Sequence, residues 1–491
     1  MSSDKHLGEL GLTARSGNPQ ARVSAITLDS RTVKPGTLFA ALPGTLMHGA
    51  SFIDPALRMG ASAILTDREG AAMAAETLAR HPEAALVVAE DAPAALAMAA
   101  ALWFGAQPET MIAVTGTNGK TSVASFARQL WTHLGYPAVN IGTTGVEGAW
   151  EAPLAHTTPD AVTLQGILAQ AAAEGVTHAA MEASSHGLDQ RRLDGVGIVA
   201  AGFTNLSQDH LDYHATMEDY YEAKAGLFHR LLPEDGVAVI NTDDEWGARL
   251  AARVDQQVLR VGQTEDCDLR ILAQRYDAQG QELRFSLAGQ AHHVHLPLVG
   301  GFQAWNALVA LGLLVASGAD AGEAIAAMPK LQGVRGRMEL AATRENGAPV
   351  FVDYAHTPAA VETALKALRP HVMGRLIIVL GAGGDRDRAK RPLMGKAAAE
   401  HADVVFVTDD NPRSEDPAGI RVEIMQACPE ATEVGDRAEA ILRAVDALQP
   451  GDALLIAGKG HETGQTVGDT VYPFDDLEQA SVAVAALDGR L

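Results

Sequence analysis

The sequence predicts an α/β protein of three domains: a small N-terminal α/β domain over residues 1–108, a central domain with a phosphate loop and a mostly parallel sheet over 109–335, and a C-terminal Rossmann-like α/β domain over 336–491. Three observations predict it. A short apolar run, Met111 to Val114, leads into Gly-Thr-Asn-Gly-Lys-Thr and then into helical spacing over Val123 to Leu134, which is the strand, glycine turn and helix of a phosphate cradle. Strand-like and helix-like stretches alternate around it, implying parallel pairing with helices on the faces. A chain of 491 residues also suffices for about three cores at ~150 residues each.

Composition narrows the partners. The net charge of −23 leaves no global positive field for phosphates, so nucleic acid is not expected as a partner, and any anionic substrate must meet locally basic ground. Two cysteines, Cys267 and Cys428, make neither a disulfide framework nor a zinc cluster. Met1 to Leu12 lacks the pattern of an export signal, and the apolar stretches at 94–106 and 307–316 fall short of the ~18 residues that span a bilayer. A cytoplasmic protein, expected as a monomer with no membrane partner, follows.

In the first domain, apolar strands are expected at Thr37–Ala41, Ala63–Thr66 and Ala85–Val88, with a helix over Ala92–Phe104 and a linker at Ala106–Glu109. Two turns there carry polar residues: Leu28-Asp29-Ser30 before Pro35-Gly36, and His48-Gly49-Ala50 after Pro43-Gly44. By local physics Asp29-Ser30 reads equally as an Asx turn and His48 as a loop histidine.

The phosphate loop organises the second domain. Backbone N–H groups of Gly116, Thr117, Asn118 and Gly119, with the helix start behind them, would surround an anion. Lys120 would neutralise β/γ-phosphate charge and the Thr121 hydroxyl would ligate Mg²⁺. Only Thr117 and Asn118 separate Gly116 from Gly119, shorter than the common form of the motif. Strands follow at Val139–Gly142, Thr177–Met181, Ile198–Phe203 and Gly236–Ile240, with a helix over Asp160–Glu174, so the strand ends should carry the ligands. Glu182 stands at one such end as a hard oxygen ligand for Mg²⁺, against the alternative of a solvated loop carboxylate. His156-Thr157-Thr158-Pro159 precedes a helix that Asp160 could cap. The polar run Thr204 to His214, which includes His210, is too rich in titratable groups for a plain connector. Alternating strands at 269–272, 282–287 and 292–296 suggest an antiparallel annex, on which His293 and His295 share a solvated face.

In the third domain strands end at Asp353, Gly381, Thr408 and Ala457, each before a polar loop. Gly381-Ala-Gly-Gly-Asp-Arg-Asp lacks the third glycine of a dinucleotide fingerprint and puts charges where a pyrophosphate needs bare backbone. NAD is therefore not expected. Arg386, Arg388, Lys390 and Arg391 instead form a basic cluster available to a carboxylate. Asp409-Asp410-Asn411-Pro412-Arg413 sets a guanidinium fork beside a carboxylate and an amide, a pairing suited to a head group with both charges.

Thr-Gly-Thr-Asn-Gly-Lys-Thr, ending at Thr121, resembles the ATP loop of the Mur ligases and folylpolyglutamate synthetases, ATP-dependent enzymes that join a carboxylate to an amine. The resemblance to Mur ligases extends over all three domains. It implies that Thr121, Glu182, His210 and a carbamylated Lys224 hold Mg²⁺, with Lys120, Glu182, His210 and Lys224 as the catalytic set. It implies nucleotide contacts from Asn306, Arg337 and Asp353 besides the loop, although Gln303 and Trp305 depart from the commonest form. ATP would then be gripped by the second and third domains, and catalysis would need closure. A UDP-N-acetylmuramoyl dipeptide would contact Leu28, Ser30, His48, Gly49, Ala50, Thr157, Thr158, Ser184, Gln190 and Arg192; His156 replaces the asparagine frequent in the family. meso-Diaminopimelate would contact Arg386, Asp410, Asn411, Pro412, Arg413, Gly458 and Glu462. The implied reaction is ATP-dependent amide formation through an acyl phosphate, in peptidoglycan precursor synthesis. A folylpolyglutamate synthetase-like ligase, a phosphotransferase and a catalytically inert nucleotide-binding scaffold are the alternatives.

Overall fold

The computed structural model describes residues 4–44, 47–211, 213–277 and 280–490, so Asp212 of the polar run lies outside the described residues. Its contacts divide the chain into two compact units, one of residues 1–261 with 309–324 and one of 262–308 with 325–491.

Two larger sheets make up most of the first unit, in addition to a short antiparallel pairing of Lys5–His6 with Arg22–Val23. Strands β1 (Ala25–Thr27), β2 (Thr37–Ala41), β3 (Ala63–Thr66) and β4 (Ala85–Val88) pair in parallel and in that order. Every residue of β2 and β3 is buried, which is why they read as continuous apolar runs. Helix α1 (Ala92–Phe104) starts where the Asp91 carboxylate accepts the Ala94 N–H at 3.0 Å and stops at Gly105, whose φ of 71° is the left-handed end that a side chain disfavours.

The larger sheet is built from β5 (Thr110–Thr115), β6 (Ala138–Gly142), β7 (Gly145–Gly148), β8 (His178–Glu182), β9 (Ile198–Phe203), β10 (Val237–Asn241) and β11 (Gln257–Gly262). Their order is β11-β10-β9-β5-β8-β6-β7, parallel except for β7. Ala113 pairs with Met181 on one side and Ala201 on the other, so the carboxyl ends at Thr115, Glu182 and Phe203 come out at one edge. Met111, Ile141, Met181, Phe203 and Leu168 pack into one core, where each fully buried large apolar side chain contributes about 1.5–3 kcal/mol. The β6–β7 hairpin was not expected, because the Gly142-Thr-Thr-Gly145 turn reads as a loop. Helix α2 spans Lys120–His133, three residues earlier than its apolar spacing begins: Gly119 at φ 89° is its cap, and the small polar residues after it form the first turn.

The second unit holds an antiparallel meander, β12 (Leu269–Asp277), β13 (Gly280–Leu287) and β14 (Gln290–Leu296). His293 and His295 do share a face, but both reach the Glu282 carboxylate, at 2.8 and 3.2 Å, so the face is held by polar contacts as well as part-exposed. A second sheet combines β15 (Glu339–Thr343), β16 (Pro349–Asp353), β17 (Leu376–Leu380), β18 (Val404–Val407), β19 (Thr432–Glu433) and β20 (Ala453–Ala457) in the order β15-β16-β20-β17-β18-β19, parallel except at the β15 edge. A hairpin of β21 (Gly464–Val467) and β22 (Thr470–Pro473) follows. Two half-exposed strands of four residues give no apolar alternation to read, and the sequence did not suggest them.

Candidate active site

In the first unit the site forms where β5, β8 and β9 end. Gly116 has φ 147°, and a Cβ there would stand 1.9 Å from Thr204 Oγ1, so only glycine lets the phosphate loop lie against the segment after β9. That segment braces it. Asn205 accepts the Thr117 N–H on its carbonyl at 2.8 Å and the Asn118 N–H on its side chain at 3.0 Å, while Thr204 Oγ1 donates to Asn118 O at 2.6 Å. Thr204 and Asn205 lay within a stretch singled out by its polarity, yet spacing gave no hint of this bracing role.

Lys120 folds over its own loop, donating to Gly116 O and Thr117 O at 2.9 and 2.8 Å. Thr121 and Glu182 meet: the hydroxyl donates to Glu182 Oε2 at 3.1 Å, and the Thr143 N–H donates to Oε1 at 2.7 Å. Glu182 is 2% exposed, which overturns the solvated-loop alternative. Thr143, which the sequence reading passed over, holds it from the β6–β7 turn, and Gly142 leaves the room, since a Cβ there would fall 2.1 Å from Oε1.

Lys224 lies on α3 (Met217–Gly226), 1% exposed, with Nζ 2.7 Å from Gly116 O. The solvated-ammonium alternative is thereby corrected. Burial first, then the nearby Lys120 charge, hold its pKa well below that of a free lysine, opposed by Asp209. A neutral buried amine is the form that adds CO₂, so this position fits carbamylation. His210 sits in the left-handed region at φ 52°, its ring 5.0 Å from that of His186 and 6.0 Å from that of Tyr220. Burial also lowers the His210 pKa, which keeps the ring neutral as a ligand must be. A buried carboxylate beside a threonine hydroxyl offers the hard oxygens that Mg²⁺ takes.

Next to these lies a second polar group. Thr157 Oγ1 is 3.0 Å from Thr143 Oγ1, and buried Thr158 donates to Glu182 O at 2.9 Å and accepts the Ser184 N–H at 3.1 Å. Arg192 donates to Thr158 O at 2.6 Å and to Gln190 Oε1 at 2.7 Å. Asp160, not a threonine, caps the following helix, accepting the Val162 and Thr163 N–H groups. Thr157, Thr158, Ser184, Gln190 and Arg192 are thus one connected set around Glu182.

Leu28–Ser30 and His48–Ala50 follow neighbouring parallel strands β1 and β2. Asp29 accepts the Arg31 N–H at 2.9 Å, so the Asx turn is real. His48 is more than a loop residue: Nδ1 accepts the Ala50 N–H at 3.0 Å and Nε2 reaches Asp67 at 3.1 Å. A cavity of about 550 Å³ in this region, bounded by Arg15, Arg68 and His81, includes none of these residues.

In the second unit the loops after β16, β20, β17 and β18 meet at one sheet edge. Asp353 accepts the Met338 and Ala355 N–H groups at 2.7 and 2.9 Å, and burial raises its pKa. The Arg337 guanidinium stacks 4.7 Å over the Tyr354 ring. Asn306 donates to Gln303 Oε1 at 3.0 Å on the helix Gln303–Ala316. The glycines after β17 serve packing: a Cβ on Gly384 would stand 1.9 Å from Pro412 O.

The expected basic cluster is corrected. Arg391 is fully buried and paired with Glu415 and Glu423, each approached to 2.8 Å, Arg388 pairs with the same Glu423, and Lys390 donates to His356 O at 2.9 Å. Of the four, Arg386 and Arg388 are exposed, Arg388 with its guanidinium turned onto Glu423. Arg413, at φ 51°, donates through Nη1 to Gly384 O at 2.8 Å, and its own backbone is tied to the β21–β22 hairpin by the bonds Arg413 N–H to Thr466 O and Gly468 N–H to Arg413 O. Asn411 donates to Glu462 Oε2 at 2.9 Å, and Asp410 is 6% exposed. Lys459, between Gly458 and Gly460, was not picked out as a site residue, although a Gly-Lys step after a buried strand also marked Lys120.

A phosphate loop whose threonine meets a facing buried glutamate at the carboxyl ends of a parallel sheet is the arrangement of a nucleotide site, and the comparisons name its class. Residues 22–103 match the Mur ligase family catalytic domain, 114–314 the Mur ligase middle domain, and 336–460 the Mur ligase glutamate ligase domain. The chain belongs to the Mur ligase family. More particularly, it is 48% identical to the UDP-N-acetylmuramoyl-L-alanyl-D-glutamate--2,6-diaminopimelate ligase of Brucella melitensis biotype 1, over 95% of both chains. It is 48% identical to that of Rhizobium meliloti, over 98% of both. A solved structure of a ligase with this same name is similar with a TM-score of 0.73 at 34% identity, covering 99% of both chains. MurF from Thermotoga maritima in complex with ADP shares the fold, with a TM-score of 0.59 at 18% identity over 94% of this chain and 96% of that one.

Proposed function

We propose that the chain is an ATP-dependent, ADP-forming ligase that joins meso-diaminopimelate to UDP-N-acetylmuramoyl-L-alanyl-D-glutamate in peptidoglycan precursor synthesis. The 1–108, 109–335 and 336–491 regions bind the uridine nucleotide, ATP and the amino acid in turn, and the enzyme works as a cytoplasmic monomer. The identity with diaminopimelate ligases over 95% or more of the chain supports the reaction. The observation that supports the specificity is the Arg413 guanidinium fixed over Gly384, on the loop that also carries the buried Asp410.

Thr121, Glu182, His210 and carbamylated Lys224 would hold Mg²⁺, which when bound screens the triphosphate and draws charge from its leaving group. The chain's own residues do the rest. The loop N–H groups and Lys120, released from Gly116 O and Thr117 O, bind the β/γ-phosphates and lower the repulsion that a carboxylate would meet on approach. Thr157, Thr158 and Arg192 orient the glutamyl carboxylate, whose oxygen attacks the γ-phosphorus as ADP leaves. The amine of diaminopimelate then attacks the acyl carbon; phosphate departs and the nitrogen loses a proton. Arg413 binds the distal carboxylate, with Asp410 and Glu462 toward the distal ammonium. Lysine, without that carboxylate, leaves Arg413 unanswered.

The test is phosphate release in the presence of the sugar dipeptide, comparing meso-diaminopimelate with L-lysine. Strong preference for diaminopimelate is expected; equal use of both amines removes the specificity and leaves the ligase.

A further inference from the structure

Lys459 follows β20 and points behind the loops at the sheet edge, its side chain 0% exposed. Nζ donates to Asn411 Oδ1 at 3.0 Å and lies 3.6 Å from Asp410 Oδ1 and 3.7 Å from Glu462 Oε2. Lysine is almost never fully buried unless paired, so the enclosed ammonium has a reason to be there. That reason lies in two geometric facts.

The first concerns Asn411. Its Oδ1 accepts from Lys459 and also from the Thr466 N–H at 2.9 Å, so the amide is fixed in one orientation and its N–H must point the other way, onto Glu462 at 2.9 Å. The second concerns charge. Asp410 and Glu462 both face this ammonium, and without it the two carboxylates would repel each other. Gly458 keeps the backbone close: at φ 118°, a Cβ on it would stand 2.9 Å from Asp410 Oδ2.

We infer that Lys459 is a positioning and specificity-determining residue for the amino-acid substrate. It holds Asn411 in register and keeps Asp410 and Glu462 in place to receive a distal ammonium, without itself touching the ligand. The inference rests on the reading of this edge as the diaminopimelate site.

The experiment compares wild type, Lys459→Met and Lys459→Arg in steady-state phosphate release, with KM measured separately for meso-diaminopimelate, ATP and the sugar dipeptide. Lys459→Met should raise KM for diaminopimelate by ~30-fold or more, the scale of an unpaired buried charge, while both other KM values stay within about 2-fold. Lys459→Arg should recover most of the loss. A structural role would move all three KM values or the folded fraction alone. Unchanged KM for diaminopimelate in folded Lys459→Met, or a parallel rise for every substrate, overturns the inference. Should Lys459→Met not fold, Lys459→Gln decides: a rise in KM for diaminopimelate alone supports the role, and wild-type KM values overturn it. Wild-type enzyme that uses L-lysine as readily as diaminopimelate overturns instead the reading of the site on which the inference stands.

Discussion

The Lys224 ammonium donates to the Gly116 carbonyl across 2.7 Å, tying a buried lysine on a helix to the first glycine of the phosphate loop. Burial and the Lys120 charge depress its pKa, which favours the neutral amine, the form that adds CO₂ and loses a proton to give a carbamate. Carbon-13 carbon dioxide should label the protein at one site that Lys224→Met removes. Turnover of Lys224→Met should fall by about 100-fold or more, as for loss of a metal ligand or its support. A variant at this position that keeps wild-type turnover would sink the role.

Gly142 makes room for Glu182. Gly142→Ala would drive a Cβ to 2.1 Å from Oε1, pushing the carboxylate off the Thr143 N–H. The Mg²⁺ concentration for half-maximal turnover should rise by about 10-fold or more, in line with disturbed support of a metal ligand. A magnesium titration of phosphate release measures it, and an unchanged midpoint counts against Glu182 as a ligand.

Arg413→Ala removes the one guanidinium held over Gly384. The kcat/KM ratio of diaminopimelate over L-lysine should shrink by about 30-fold or more, the scale of a lost charge-assisted bidentate contact. Competition between the two amino acids in one reaction reads this directly.

Arg437 and Asp476 form an ion pair at 2.6 Å with both side chains fully enclosed. Asp476→Ala would leave the guanidinium buried and unpaired, at a cost of about 3–5 kcal/mol. Urea unfolding should show a lower midpoint. The double replacement Arg437→Met with Asp476→Leu should recover much of the loss.

His461 stacks on Tyr354 and has its pKa lowered to about 4 by burial and by Arg337 and Arg335. The folded ring takes its proton near pH 4, whereas the unfolded ring takes it near 6.5, so unfolding binds a proton between these values. Stability should therefore fall as the pH drops from about 6.5 to about 4 and then level off, by at most ~3 kcal/mol and less where the ring meets solvent. The difference in denaturant midpoint between pH 7 and pH 5 should be smaller in His461→Gln than in wild type.

The α/β class, the strands Thr37–Ala41, Ala63–Thr66, Ala85–Val88 and Ile198–Phe203 and the phosphate loop were legible in the sequence alone, because buried parallel strands are written as unbroken apolar runs and glycines mark the turns between them. The sequence also marked Lys120, just after one strand, and Glu182, at the end of another, as chemistry-bearing, whereas His210 and Arg413 were singled out by the resemblance to the Mur ligases. Only the tertiary structure decided what these residues touch. Thr143 serves Glu182 across 39 positions of chain, and Asn205 braces Asn118 across 87. Lys459 reaches Asn411 across 48, and Arg391 is spent on Glu415 and Glu423 rather than offered to a substrate. Strand propensity is local and survives in any short window of sequence. Which carboxylate meets which cation depends on sheet order and on which side chains end up out of water, and neither is encoded in any one stretch.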